Sequence, residues 1–294
     1  MIRVTLALGI VGLLAPELGH ALECPSLGVD VDRSRIVVAG GSITEILYDL
    51  GADERVVAAD RTSNYPAAAL ELPQIGYVRA LSAEGVLSQE PTLLLGEDDT
   101  GPPEILDQLR AAGLPIAILA EQHDSQGIID KVRCIGDLIG MPEAAEAYIA
   151  ERLQPAAERL VAAQSLDKPS GAILLGIRDG TLIAAGTETS GDGLLMMMSA
   201  SNALGQMSGW KPVSREAMIV ADPSFLVIPQ RGLDAAGGVE GLLEHPTLKF
   251  TSAAKNGRVF AMDGMAMLGF GPRTLGAAAQ LADDIRAQED ASSQ

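Results

Sequence analysis

The stretch "RIVVAGGSITEILYDLGADERVVAAD", residues 35–60, carries the signature of the architecture. It opens on a β-branched run, Ile36 to Val38, and breaks at Gly40-Gly41. A helical segment follows over 42–52, with Ser42 as the expected N-cap and Glu45 three residues later in a capping box. "RVVAAD" (55–60) is a second short strand. Working outward, "TLLLG" (92–96) and "PIAILA" (115–120) are further continuous apolar runs, separated by the helical "PEILDQLRAAG" (103–113). Short buried strands alternating with helices predict α/β lobes, each a parallel sheet covered on both faces.

The pattern returns later in the chain. "SGAILLGI" (170–177), "FLVI" (225–228) and "RVFAMD" (258–263) read as strands, and "GDGLLMMMSASNALG" (191–205) and "EGLLEHPTLK" (240–249) as helices. Between the halves, residues 125–166 carry apolar residues at three- and four-residue spacing on both sides of Gly140-Met141-Pro142. The second part is rich in strong helix formers, and its pattern continues past Pro155, where a kink is expected. The expected organisation is two Rossmann-like lobes joined by a long helix. The lobes span 22–124 and 169–294, and the helical connection 125–168. No fine-grained repeat between the halves is evident.

Residues 1–21 read as a signal peptide. Arg3 precedes an apolar run from Val4 to Ala15, and "GHA" provides a small-x-small cleavage site after Ala21. The run is too short to span a bilayer. Leu22 and Glu23 precede Cys24, so no lipidated cysteine stands at the cut. Export to the periplasm is expected. In that compartment Cys24 and Cys134 either form one disulfide or remain two thiols. The net charge of −18 speaks against nucleic acid and anionic membrane surfaces as partners.

An enzyme reading finds little support. The glycines of "VVAGGSITE" lack the G-x-G-x-x-G spacing, no lysine marks a P-loop, and Ser42 is not in a G-x-S-x-G context. His123 and His245, left once the signal is removed, show no ligand spacing with a second histidine or a carboxylate, so both read as structural. A two-lobed binder is the stronger reading. In open α/β sheets ligands bind beyond the carboxyl ends of the strands. The loop "RTSNYPAAALELPQIGYVRALSAEG" (61–85) follows such an end, and it carries Tyr65 and Tyr77, two of four tyrosines.

Four stretches together resemble the haem-transport substrate-binding proteins of bacterial ABC importers, a group that extends to vitamin B12 and ferric-siderophore binders. They are "SITEILYDLGADERVVAADRTSNYP" (42–66), "LPQIGYVRALSAEGVLSQEPTLLLG" (72–96), "VSREAMIVADPSFLVI" (213–228) and "GFGPRTLGAAAQLA" (269–282). "GYVRALSAEG" is the part specific to haem binders. The resemblance implies a non-enzymatic, monomeric carrier that takes ferric haem between its lobes and hands it to ABC permease subunits. A corrinoid or siderophore is the alternative cargo, and a Rossmann-type enzyme a more distant one.

The resemblance makes Tyr77 the axial ligand of haem iron, and the chemistry agrees. A phenolate is a hard anionic donor suited to ferric iron. A free phenol ionises only near about pH 10, and a nearby guanidinium favours the anion. Arg79 either supplies that charge or pairs with a haem propionate. Arg231, after the strand at 225–228, is expected to enter from the other lobe. Tyr65 either packs on the porphyrin edge or closes its loop. The methionines at 196–198, 262, 265 and 267 read as core fillers, with a thioether as second iron ligand the alternative. "LIAAGTETSGDG" (182–193) offers no histidine, which speaks against bis-ligated or two-haem binding. Glu84 and Glu216, one in each lobe, match the glutamates with which relatives dock on permease arginines, and also suit helix starts.

Overall fold

In the computed structural model, residues 24–164 and 167–292 are described. The expected signal segment, residues 1–21, lies outside them. The N-terminal lobe is built on β1 (Ile36–Ala39), β2 (Val56–Ala59), β5 (Leu93–Glu97) and β6 (Ile116–Leu119), with a hairpin of β3 (Gly76–Tyr77) and β4 (Ala80–Leu81) beside them. The sheet order is β2-β1-β5-β6, and every pairing in it is parallel. All residues of β1 and β5 are buried. Both faces are covered, so these strands read as unbroken apolar runs and not as alternating ones.

The helix after β1 spans Gly41–Asp49, and its N-cap is Gly40, without a side-chain cap bond. The expected capping box of Ser42 and Glu45 is therefore not formed. Both side chains are drawn into tertiary contacts instead. The Ser42 hydroxyl donates to Glu97 Oε1 (2.5 Å), and Glu45 Oε1 accepts from Arg273 (2.6 Å).

The C-terminal lobe holds β7 (Ser170–Arg178), β8 (Thr181–Ala185), β9 (Ser201–Asn202), β10 (Trp210–Pro212), β11 (Phe225–Pro229) and β12 (Val259–Met262). The sheet order is β10-β8-β7-β11-β12, with β9 beside β7. The expectation of a wholly parallel sheet fails here. β7 and β8 form an antiparallel hairpin, and β10 pairs antiparallel with β8. The cause is local: Asp179 and Gly180 turn between Arg178 and Thr181 with φ of 49° and 72°, the left-handed pair a two-residue hairpin turn needs. Two expected helices are also shorter. Ser190–Met197 stops before Ser199, at φ 57°, and Gly238–Leu243 ends short of Pro246.

Helix Ser125–Ile139 ends at left-handed Gly140. The chain then runs helically from Pro142 to Ala163, with a π-helical turn at Ile149–Leu153 just ahead of Pro155. A proline ring clashes with the carbonyl four residues back in a regular α-helix. The wider turn relieves that clash, so the helix continues through the proline. The C-terminal helix Pro272–Ser292 packs along this connection, with Arg159 donating to Gln280 (2.9 Å). One apolar cluster runs from Ile36 and Leu95 through Ile149 and Leu160 to Ile173 and Val227. Cys24 and Cys134 form a disulfide, Cα–Cα 5.5 Å, tying the start of the described chain to helix Ser125–Ile139. Among the described residues, no helix is long and apolar enough to cross a membrane.

Candidate functional site

Asp60, the first residue after β2, organises the site. It is fully buried. Its Oδ1 accepts from the Gly40 N–H (3.0 Å) and the Thr62 hydroxyl (2.7 Å), and its Oδ2 from the N–H groups of Thr62 (3.1 Å) and Val78 (3.0 Å). The Ser63 hydroxyl reaches Oδ1 at 3.4 Å. The Arg61 N–H donates to the Gly76 carbonyl (2.9 Å), so the β3–β4 hairpin is held against the end of β2. Val78 is buried. Val78 and Arg79 form the two-residue turn between β3 and β4, and the Arg79 guanidinium folds back beside the Tyr77 ring, 5.8 Å from its centre.

Arg79 Nη1 donates to the Tyr77 hydroxyl oxygen at 2.7 Å, and Arg79 Nη2 pairs with Asp99 Oδ2 at 2.5 Å. A second guanidinium, that of Arg61, stands 5.3 Å from the centre of the Tyr77 ring. Tyr77 forms part of the wall of a cleft of about 1020 Å³. The N-terminal lobe contributes Arg61 to Asn64 and Gln74 to it, and the C-terminal lobe contributes Gln230, Arg231, Asp263 and Met265. These residues follow β2, β11 and β12, so the cleft lies beyond the carboxyl ends of the strands. The sequence reading thus placed Tyr77, Arg79 and Arg231 near one another, and Tyr77 and Arg231 share this cleft.

Behind Tyr77 is a recess of about 380 Å³, lined by Arg79, Glu97, Asp99, Glu121, Trp210 and Leu268 among others. Glu97 is buried, and burial pushes its carboxyl up to about 8, against a smaller downward pull from Lys131. Lys131 is only 1% exposed; its ammonium donates to the Ser42 hydroxyl (3.1 Å) and to Glu121 Oε1 (3.4 Å). Burial alone raises the Glu121 carboxyl, but His123 and Lys131 outweigh it and hold the group below its ordinary range. His123 Nε2 lies 3.3 Å from Glu121 Oε2, and its ring packs on Phe270 at 4.8 Å. His123 therefore does have a carboxylate partner, two residues away. Among the described residues, no group of three His, Cys, Asp or Glu could hold a metal ion.

Tyr65 is 42% exposed and is not among the residues that line either space. Its ring lies under the Arg273 guanidinium, 3.9 Å from the centroid. Arg273 also pairs with Glu45 (2.6 Å) and Asp263 (3.1 Å), joining residues that follow β1 and β12. Met265 reaches the N-terminal lobe: its methyl group lies 2.6 Å from where a Cβ on Gly41 would stand. A side chain at position 41 would collide first with the Thr62 carbonyl of its own lobe, 2.5 Å away, whereas the methionine methyl group could swing aside. Glu84 and Glu216 are exposed, each in the first turn of a helix capped by a serine, Ser82 or Ser214.

The sequence reading missed Asp60, Arg61, Arg273 and the Glu97–Lys131 group. Asp60 had a signal, an acidic residue at a strand end before Thr-Ser, which is Asx-turn chemistry. Lys131 had none, since it sits among apolar residues of an amphipathic helix.

Residues 36–266 match the family model described as periplasmic binding protein. A periplasmic haem-binding protein from Pseudomonas aeruginosa is 37% identical, covering 86% of this chain and 92% of that one, with a TM-score of 0.75. The periplasmic haem-binding protein RhuT from Roseiflexus sp. RS-1, in its apo form, is 35% identical, covering 86% and 99%, with a TM-score of 0.78. Among curated relatives, the vitamin B12-binding protein of Photorhabdus laumondii is 26% identical over 66% of this chain and 70% of its own length.

Proposed function

The chain belongs to the periplasmic binding protein family, and from that premise we propose that it binds ferric haem between its lobes and delivers it to an inner-membrane ABC permease. The observation that carries this reading is the Tyr77 oxygen, held at 2.7 Å by Arg79 on the wall of a cleft of about 1020 Å³. That space matches the upper end of small-molecule sites, roughly 300–1,000 Å³. Tyr77 supplies the oxygen donor to ferric iron, giving up its phenol proton as the bond forms. Arg79 is the cation that stabilises the resulting anion, a charge-assisted bond stronger than a neutral one. Its own pairing with Asp99 keeps the guanidinium in place. In this reading Arg79 serves the iron ligand, which its bond to the Tyr77 oxygen supports, and Arg231 and Arg61 meet the propionates. Tyr65 borders the site through Arg273.

The donor set favours haem over a corrinoid. Haem presents a Lewis-acidic iron and two carboxylates, and the cleft offers an oxygen donor and cations. The amide arms of a corrinoid are uncharged and its one phosphate could meet only one of Arg231 and Arg61, whereas two propionates meet both. In this reading the protein is a carrier and not a catalyst, works as a monomer after cleavage near Ala21, and docks on permease subunits through Glu84 and Glu216.

A hemin titration followed by absorbance tests the proposal. The wild-type protein should gain a Soret band and a ferric-tyrosinate charge-transfer band. Tyr77→Phe should lose the latter and bind hemin much more weakly. An unchanged spectrum in Tyr77→Phe removes Tyr77 as ligand. Binding of cobalamin without binding of hemin overturns the haem reading.

A further inference from the structure

Set side by side by element, the two lobes contain a repeat that plain reading of the sequence did not find. "LSAEGVLSQEPTLLLG" (81–96) and "VSREAMIVADPSFLVI" (213–228) align without a gap. Ser82 and Ser214 cap their helices alike, accepting from the N–H of Gly85 (3.0 Å) and Ala217 (3.1 Å). Val86 and Met218 are both fully buried. Glu90 and Asp222 both take left-handed backbone, φ 50° and 39°, just before Pro91 and Pro223. The strands that follow, β5 and β11, each lie between two parallel neighbours.

Those shared positions are explained by folding: caps, core and a turn. Two others are not. Glu84 and Glu216 occupy the same helical position in solvent, and among the described residues neither carboxylate has a side-chain hydrogen bond or ion pair. Three residues on, Leu87 and Ile219 are each partly exposed, 38% and 40%, and Leu87 also borders a shallow groove with Val29 and Pro91. Residues three apart share one helix face, so each lobe shows a carboxylate beside an aliphatic side chain. The next position breaks the pattern. It is Ser88 in one lobe and the 86% exposed Val220 in the other. The pairing is therefore not a general apolarity of this surface.

We infer that each lobe docks through a two-point contact, Glu84 with Leu87 and Glu216 with Ile219. The partner fitting this surface is built from two copies of one subunit, each with a cationic side chain beside an apolar pocket. Two equal patches on one chain match two equal patches related by a two-fold axis. The carboxylate steers and sets register, while the aliphatic side chain supplies attachment that salt does not screen. This rests on the permease-docking reading of Glu84 and Glu216.

The test uses the full haem-loaded chain and the haem ABC importer from the same source, reconstituted in nanodiscs. Affinity is measured at about 0.05 M and about 0.5 M salt, where screening differs strongly. Leu87→Ser with Ile219→Ser should weaken binding roughly three- to tenfold per lobe at both salts. Glu84→Gln with Glu216→Gln should weaken it mainly at low salt. Val220→Ser should have no effect, and Leu87→Ile, which keeps an aliphatic side chain, should bind like the wild type. Hemin titration must be unchanged in every variant, which separates docking from folding. If the aliphatic pair binds normally while the glutamine pair is impaired, the inference falls and the docking reading stands. If only one of Leu87 and Ile219 matters, the two-copy partner is wrong. If both pairs bind normally, docking through these helices is itself refuted.

Discussion

Replacing Asp60 by Asn keeps its volume and removes its charge, and the structure sets the cost. Asp60 is fully buried and accepts from three main-chain N–H groups and two hydroxyls. In Asn one oxygen becomes an NH₂ donor. Turned one way, that group opposes the N–H donors of Thr62 and Val78; turned the other, it opposes the Gly40 N–H, while the Thr62 and Ser63 hydroxyls can rotate to accept from it. Two bonds to a charged acceptor are lost the first way and one the second. At about 1.5–3 kcal/mol each, the loss is about 1.5–6 kcal/mol. A chain of this size loses about 2–4 °C in Tm per kcal/mol, so melting should fall by roughly 3–24 °C. Circular dichroism melts of the full chain measure this. The Val78 N–H lies between Tyr77 and Arg79, so hemin affinity should fall as well. A variant melting within about 2 °C of wild type would show that Asp60 does not hold the site together.

Further expectations follow from single contacts. Arg79→Leu removes the donor to the Tyr77 oxygen, so the hemin charge-transfer band should move and haem should leave faster in stopped-flow transfer. Arg231→Leu removes a cleft cation with no contact to Tyr77, so affinity should drop while the spectrum stays that of wild type. Cys24→Ser with Cys134→Ser opens a closure spanning a sequence separation of 110, which should cost about 4–5 kcal/mol in the chain-entropy picture and appear as a lower melting temperature. Glu97 is raised by burial from 4.5 to about 8, so the folded state holds a proton that the unfolded chain releases. Stability from this group is complete below about pH 4.5 and is lost as pH rises through about 8. Glu97→Gln should flatten the fall in melting temperature across that window, and an unaltered pH profile would place the titration elsewhere.

The amino-acid sequence by itself determined the alternation of strand and helix, because strands covered on both faces must be apolar throughout, as β1 and β5 are. It also set Tyr77 and Arg79 two residues apart in one loop, but the bond between them was decided by the tight turn at Val78 and Arg79 that brings the guanidinium back to the phenol oxygen. It left the rest of the site open. Ser42 and Glu45 match a capping box locally, but Glu97 and Arg273 claim both side chains from distant parts of the chain. The choice between paired and free Cys24 and Cys134 depended on whether their Cα atoms meet, and they do, at 5.5 Å. Arg61 and Asp60 became site residues only once the hairpin of Tyr77 had folded back onto β2. The repeat of residues 81–96 at 213–228 was present in the letters all along, yet only the matching places of β5 and β11 in their sheets set its register. Local pattern records which face of an element is covered. Contacts between residues far apart in the chain depend on how the covered faces pack, and that only the tertiary structure decides.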